Sequence, residues 1–228
     1  MERLLQSVKI GINEKIYVKD PESSDLGKRI VEQSIVMIDE MGFEAFTFKK
    51  LGVKIGSNES SIYRYFENKH KLLVYLTSWY WGWVEYRLVF STNSISDPKL
   101  KLGKALEVVS GAPDQDLHFS HINEVLLHKI VINESYKSFL TKEVDQENKE
   151  GYFGIYKRMV TRIGEMVHAY DPAYDFPMSL ASTVLEGVMH QHFLRSHFAT
   201  LTDCNKTISP GDFFANLVFN TLNPQSNG

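Results

Sequence analysis

The chain has 228 residues, 43% hydrophobic and 23% charged, with a net charge of −3 at pH 7 and one cysteine. That composition supports a packed core in one large or two modest domains and excludes global disorder. Cys204 has no cysteine partner, which excludes an intrachain disulfide and a cysteine-built zinc site and fits a reducing cytoplasm.

Residues 1–24 are polar and poorly periodic. Disorder is the default expectation for such a terminus, with folding back on the first helix or reaching out as an arm as the alternatives. Lys9, Glu14, Lys15 and Lys19 interrupt any signal-peptide-like apolar run. Ser24 or Asp25 can cap a first helix over 26–41, whose apolar side holds Ile30, Ile35, Met37, Ile38 and Met41 and which Gly42 stops. Phe43 and Phe46 complete a small core. Thr47 can cap a second helix, although Lys50 stands where the Glu of a full capping box would be. Phe48, Leu51 and Ile55 recur there at helical spacing, and Gly56 supplies the left-handed residue that ends it. Asn58 caps a third helix over 59–65, anchored by Ile62 and Phe66 four residues apart. Glu59, Ser60, Ser61, Tyr63, Arg64 and Tyr65 are left to point outward. A helix, a glycine turn and a short polar helix make a helix-turn-helix, whose second helix can enter a DNA major groove.

Asn68 or Lys69 opens a long helix with Leu72, Leu76, Trp79, Tyr80, Trp83 and Phe90 on its apolar side. Glu85 and Arg87 inside this run mark a buried helix and not a membrane span. Asp97 and Pro98 start the next helix, to about residue 110, before a loop at Gly111-Ala112-Pro113-Asp114. Helical patterns follow over 121–133 and 136–140, and a long one over 142–170. Another covers 178–201, with Leu180, Val184, Val188 and Phe193 among its apolar positions. Ser209-Pro210 opens the last, ending near 222, and the tail 223–228 is expected to be loose. The fold class is therefore all-α, about nine helices: a three-helix head over 1–68 and a larger helical body over 69–228.

Charge is unevenly spread. Residues 42–71 carry six basic groups against three acidic ones, leaving −6 for the remainder. A small basic patch on an acidic body suits a protein that meets phosphate at one end.

Gly42-Phe43, Thr47, Leu51, Gly56, Ser61-Ile62-Tyr63, Tyr65-Phe66, Lys69 and Leu72-Leu73 together resemble the DNA-binding region of the TetR family of transcriptional regulators. The likeness covers roughly residues 26 to 73; beyond it only the architecture is similar. The resemblance implies base and phosphate contacts from Asn58, Ser60, Ser61, Tyr63, Tyr65 and Lys69. Thr47 is a phosphate candidate as well as a cap, and Arg64 can reach a guanine or a phosphate, or pair with Glu67. Glu59 departs from the family pattern; it can accept from a cytosine amino group or, the favoured reading, stabilise its own helix N-terminus. The resemblance further implies a homodimer on a near-palindromic operator, ligand-responsive repression and an inducer pocket in the body.

For that pocket the aromatic set Trp79, Trp83, Tyr86, Tyr152, Phe153 and Tyr156 suits an apolar or aromatic small molecule, with a plain aromatic core as the alternative. Val184, Val188, Phe213, Phe214, Leu217 and Phe219 are the expected dimer contacts, with intrachain core as the alternative. His118, His121 and His128 form one histidine group, and His190, His192 and His197 another; neither makes a metal motif. Glu186 and His190, four apart, form no recognised ligand set either. No nucleophile has a plausible base and no glycine-rich phosphate loop is evident, so neither catalysis, metal nor cofactor is expected. The competing reading is a helical small-molecule-binding protein or enzyme whose head no longer binds DNA.

Overall fold

The computed structural model describes residues 10–113 and 121–222, with ten α-helices and no strand among them. In chain order these are α1 (Asp25–Ala45), α2 (Phe48–Ile55), α3 (Glu59–Tyr63), α4 (Lys69–Thr92), α5 (Pro98–Ser110), α6 (Glu124–Glu134), α7 (Val144–Lys149), α8 (Gly154–Tyr170), α9 (Pro177–His197) and α10 (Pro210–Leu222). The chain divides into two compact units, Met1–Gly82 with Ala112–Ile155, and Trp83–Gly111 with Tyr156–Gly228. Asp114, His118, residues 1–9 and the tail 223–228 lie outside the described residues. Among the described residues no helix is long and apolar enough to cross a membrane.

In the first unit, α1 starts where Ser24 Oγ accepts from the Gly27 N–H at 3.2 Å. Its regular turns break at Gly42, which has φ +75°. The break frees the Phe43 N–H, and Glu134 Oε1 on α6 accepts it at 3.0 Å. Lys137 then pairs with Glu134 at 2.7 Å and with Glu44 at 3.1 Å. The core between these helices holds Ile30, Val31, Ile35, Ile38, Phe46, Leu51, Ile62, Phe66, Leu127 and Val131, all buried. Each such side chain contributes roughly 1.5–3 kcal/mol by leaving water.

The lead segment is not loose where it is described. Residues 10–24 fold onto this unit through 3₁₀ turns at Glu14–Ile16 and Pro21–Ser23, and Ile16 is buried. The Val18 N–H donates to Tyr65 O at 2.8 Å, and Asn13 Nδ2 donates to Glu150 O at 2.8 Å. His121 Nε2 meets Glu22 Oε1 at 2.7 Å. Apolar residues placed every few positions let a sequence that lacks helical period pack as an extended strap.

The helix expected over 142–170 is two helices, α7 and α8. Gly151 separates them with φ +84°, a left-handed conformation that glycine adopts without a Cβ penalty. The pattern expected over 121–133 begins later, at Glu124, because Asn123 Oδ1 caps Leu126 N at 3.0 Å. The stretch 136–140 is a 3₁₀ turn at Ser135–Ser138.

In the second unit α5, α9 and α10 pack on one another. Asp97 caps α5 through Leu100 N at 2.8 Å, with Pro98 in its first turn as expected. Ser209 and Asp212 cap α10 reciprocally: Ser209 Oγ accepts from Asp212 N at 3.1 Å, and Asp212 Oδ2 accepts from Ser209 N at 2.8 Å. The expectation that Val184, Val188 and Phe214 face a partner chain is corrected here. Their exposures are 1%, 0% and 4%, so they are core of their own chain and offer a partner almost no surface. Phe213 and Leu217 do stand exposed, and Phe219 packs edge-on against Tyr170 at 5.6 Å.

Candidate nucleic-acid interface

The candidate interface is built on two caps and one glycine. Thr47 Oγ1 accepts from Lys50 N at 3.2 Å and starts α2. Gly56, at φ 63° and ψ 39°, ends it, and the Ser57 N–H closes back on Gly52 O at 2.9 Å. This is the left-handed cap that the sequence requires of a glycine. Asn58 then starts α3. Its Oδ1 accepts from Ser61 N at 2.8 Å, from Ser60 Oγ at 2.8 Å and from Ser61 Oγ at 2.6 Å. Beneath them Ile62 and Phe66 are fully buried and fix the short helix to α2 and α4.

Four expected contact residues are on the open face: Asn58, Ser60, Tyr63 and Arg64 are exposed, with Thr47 exposed at the start of α2. Glu59 and Ser61 are half-buried. Arg64 makes no ion pair among the described residues, so the alternative of a bridge to Glu67 does not describe it. Tyr63 lies edge-on against Phe48 at 5.1 Å, and its hydroxyl donates to Glu59 Oε1 at 3.4 Å. Glu59 therefore acts locally. One turn ahead of Tyr63, it helps hold the phenol, and it sits in the first turn of α3, where a negative charge is stabilised.

Tyr65 does not point outward. The helix ends at Tyr63, two residues short of the expected 65, and the next turn carries the Tyr65 ring inward to 3% exposure. Its hydroxyl bonds with Ser24 Oγ at 2.7 Å, Lys19 Nζ lies 5.2 Å from its ring centre, and its carbonyl holds the strap at Val18. The Ser24 bond, with Lys19 behind it, holds the phenol below its usual pKa. Tyr65 thus joins strap, α1 and α3 and offers no ring surface to a duplex.

Lys69, half-buried, is engaged with its own chain. Its ammonium donates to Phe43 O at 3.0 Å, Glu44 O at 3.1 Å and Phe46 O at 3.4 Å, and it lies 4.7 Å over the Phe43 ring. Three donors meet three carbonyls left by the broken end of α1, where a cation is favoured. Lys69 here clamps α1 to α4, and its ammonium is taken up by those carbonyls.

Val53, absent from the expected contacts, is 80% exposed among Lys49, Lys50 and Lys54 on the outer side of α2. The signal was present: Val53 falls outside the Phe48-Leu51-Ile55 stripe, so an apolar residue there has no core to join.

The expected pocket aromatics fall in both units. Trp79, Tyr152 and Phe153 belong to the first; Trp83, Tyr86 and Tyr156 belong to the second. Trp79 and Trp83 are each 2% exposed. The Tyr152 hydroxyl donates to Lys15 O at 3.0 Å and receives Lys71 Nζ. Tyr156 donates to Glu186 Oε1 at 2.5 Å, and Tyr86 stacks on Phe90 with centres 6.2 Å apart. None of the six lines either the cavity beside Val89 and Arg162 or the one beside Thr202 and Phe213 in the second unit. Of the histidines, His128 is buried with Nδ1 against Tyr80 Oη at 2.7 Å, while His190 and His197 flank the Phe193 ring. His192 is buried against Ser110 O at 3.0 Å, and burial holds its pKa below the usual histidine range.

Comparison with known proteins adds three findings. Residues 30–76 match the model of the bacterial regulatory proteins of the tetR family. No curated protein matches the chain by sequence. Solved structures share the fold: AibR in complex with isovaleryl coenzyme A and operator DNA is 16% identical, with 86% of this chain and 98% of that one covered and a TM-score of 0.56. A transcriptional regulator from Rhodococcus sp. Rha1 is 11% identical over 90% and 96% of the chains, TM-score 0.55. The fatty acid degradation regulator FadR from Bacillus halodurans is 13% identical over 87% and 95%, TM-score 0.53. At these identities the likeness is one of fold.

Proposed function

We propose that this chain, whose residues 30–76 carry the helix-turn-helix region of the tetR family, is a sequence-specific, ligand-responsive repressor that acts as a homodimer on a near-palindromic operator. The observation that carries the reading is a polar, outward-facing α3 on a buried Ile62–Phe66 anchor, flanked by the lysines of α2. A helix so presented fits a major groove, and two of them one helical turn apart fit a palindrome. Ser60 and Ser61 fix position, while Tyr63 and Arg64 reach phosphate or base edges. The head is residues 1–68 and the regulatory and dimerising body 69–228. Phe213 and Leu217 on α10 are the exposed apolar residues we assign to the partner chain; half-buried Phe219 packs on Tyr170 of its own chain.

Regulation follows from linkage. A ligand that binds the body better in one arrangement of the heads shifts the population away from the arrangement that fits DNA. That the similar AibR was solved with both isovaleryl coenzyme A and operator DNA supports a small-molecule effector here. The protein acts in the cytoplasm and performs no catalysis. The rival reading, a carrier or enzyme with a degenerate head, has Glu59 and the weak charge bias as its support; the hydrogen bond from Tyr63 gives that carboxylate a role within its own helix. A mobility-shift assay on the DNA flanking the gene tests the proposal. Retarded complexes that dissolve as salt rises are expected, and no complex even at low salt overturns it.

A further inference from the structure

We infer that a cavity of the second unit, where the end of α4, the start of α5 and the C-terminal half of α8 supply the walls, binds a small monoanion with a short apolar tail, such as an aliphatic carboxylate. The inference deepens the effector part of the proposal above and rests on it only for the regulatory consequence. The cavity measures about 320 Å³, the lower end of the ~300–1,000 Å³ typical of ligand sites, so the occupant is small.

Its walls are of two kinds. Val89 and Met166 supply apolar surface; Thr92, Asn93, Lys101 and Arg162 supply polar groups. The two cations decide the chemistry. Buried Glu85 is already satisfied by Arg158, which donates to both carboxylate oxygens, Nε to Oε1 at 3.1 Å and Nη2 to Oε2 at 2.8 Å. Arg162 adds a third bond, Nε to Oε1 at 2.9 Å, and that leaves its Nη groups without an acceptor among the described residues. Arg158 and Glu85 cancel, so Arg162 is surplus positive charge. Half-buried Lys101 has no side-chain acceptor among the described residues either. Against these two stands one carboxylate in the lining, Glu165, which is exposed. The walls therefore hold one uncompensated positive charge, and a planar guanidinium and an ammonium in one lining suit a carboxylate. Pro98, also in the lining, opens α5, whose end is already capped by the Asp97 carboxylate, so the selectivity rests on Arg162 and Lys101. The apolar wall takes the tail.

Titration calorimetry of the full chain with sodium hexanoate, and separately with 1-hexanol, tests this. Hexanoate is expected to bind one site about tenfold or more tighter than the alcohol and to weaken as salt rises. Lys101→Gln and Arg162→Gln are each expected to raise the hexanoate Kd about tenfold and leave the alcohol unmoved. Lys101→Gln is the decisive variant, because its side chain holds nothing in the protein and circular dichroism should stay that of the parent. No hexanoate binding, equal binding of acid and alcohol, or an unchanged Kd in Lys101→Gln would each overturn the inference. The same variants in a mobility-shift assay without hexanoate separate the two ideas. Retained DNA binding with no hexanoate site sinks the cavity alone, and a hexanoate site in a chain that never binds DNA sinks the regulator.

Discussion

Replacing Asn58 removes the acceptor on which α3 is built. One oxygen takes the Ser61 N–H and both serine hydroxyls, at 2.6 to 2.8 Å. The helix it starts has five residues, far below the length at which a helix persists by propensity in water. Asn58→Ala is expected to cost about 1–2 kcal/mol, the usual loss for an N-cap. The cost falls locally, since Ile62 and Phe66 keep the C-terminal end of α3 docked. If the duplex requires an ordered α3, the same free energy appears in binding as a loss of about 5- to 30-fold. Hydrogen exchange at the Ser61 amide reads the cap, and DNA titration reads the consequence. Asn58→Asp divides the two, because aspartate caps as well as asparagine yet brings a negative charge to the proposed phosphate-facing side. It is expected to restore amide protection and still bind DNA poorly. Unchanged protection at Ser61 in Asn58→Ala would refute the capping argument, and parental DNA affinity in Asn58→Asp would remove this position from the interface.

Three further outcomes are expected. Lys69→Met should lower thermal stability by about 2 kcal/mol with no DNA present, because three carbonyls lose a charged donor that is partly screened by water; a chain as stable as the parent would restore Lys69 to the phosphate contacts. Tyr65→Phe should cost about 1 kcal/mol through the Ser24 bond and leave DNA affinity unchanged, whereas Tyr63→Ala should cost little stability and weaken DNA binding about tenfold across sequences; the opposite pattern in paired melting and binding curves would reverse the two assignments. Burial pushes Glu85 up, yet Arg158 and Arg162 hold it below the ordinary glutamate range, so its stabilisation is complete above the unfolded pKa and is lost as pH falls through the lower folded value. Glu85→Gln should flatten that acid limb in a circular-dichroism titration, and an unaltered limb would show that the carboxylate is not ionised in the fold.

The head was legible because each of its boundaries is written in a residue with a single role. Ser24, Thr47 and Asn58 accept the hydrogen bonds their positions demand, Gly56 takes the left-handed turn, and Ile62 with Phe66 goes inside. Tyr65 was misread for a geometric reason. Tyr63 and Tyr65 look alike in sequence, and only the end of α3 at Tyr63 turns the second ring inward. The strap stood only as an alternative to disorder because Ile16 and Pro21, the buried residues that seat it, follow no helical period. Gly151 hid within an otherwise continuous pattern. Val184, Val188 and Phe214 show why an interface is harder to read than a core: an apolar helix face is the same whether its own chain or a second copy covers it. Lys69 carries the same lesson for charge, since a lysine reads as solvent-facing until three carbonyls stand around it.

Selection of duplexes from a random-sequence pool by the purified chain, followed by titration of the enriched duplex across salt, tests most directly whether α3 reads DNA. The expected result is enrichment of a near-palindromic site whose log Kd rises linearly with log salt concentration, and loss of that enrichment in Tyr63→Ala. A pool that comes through unchanged, with no salt-dependent binding even at low ionic strength, would contradict it.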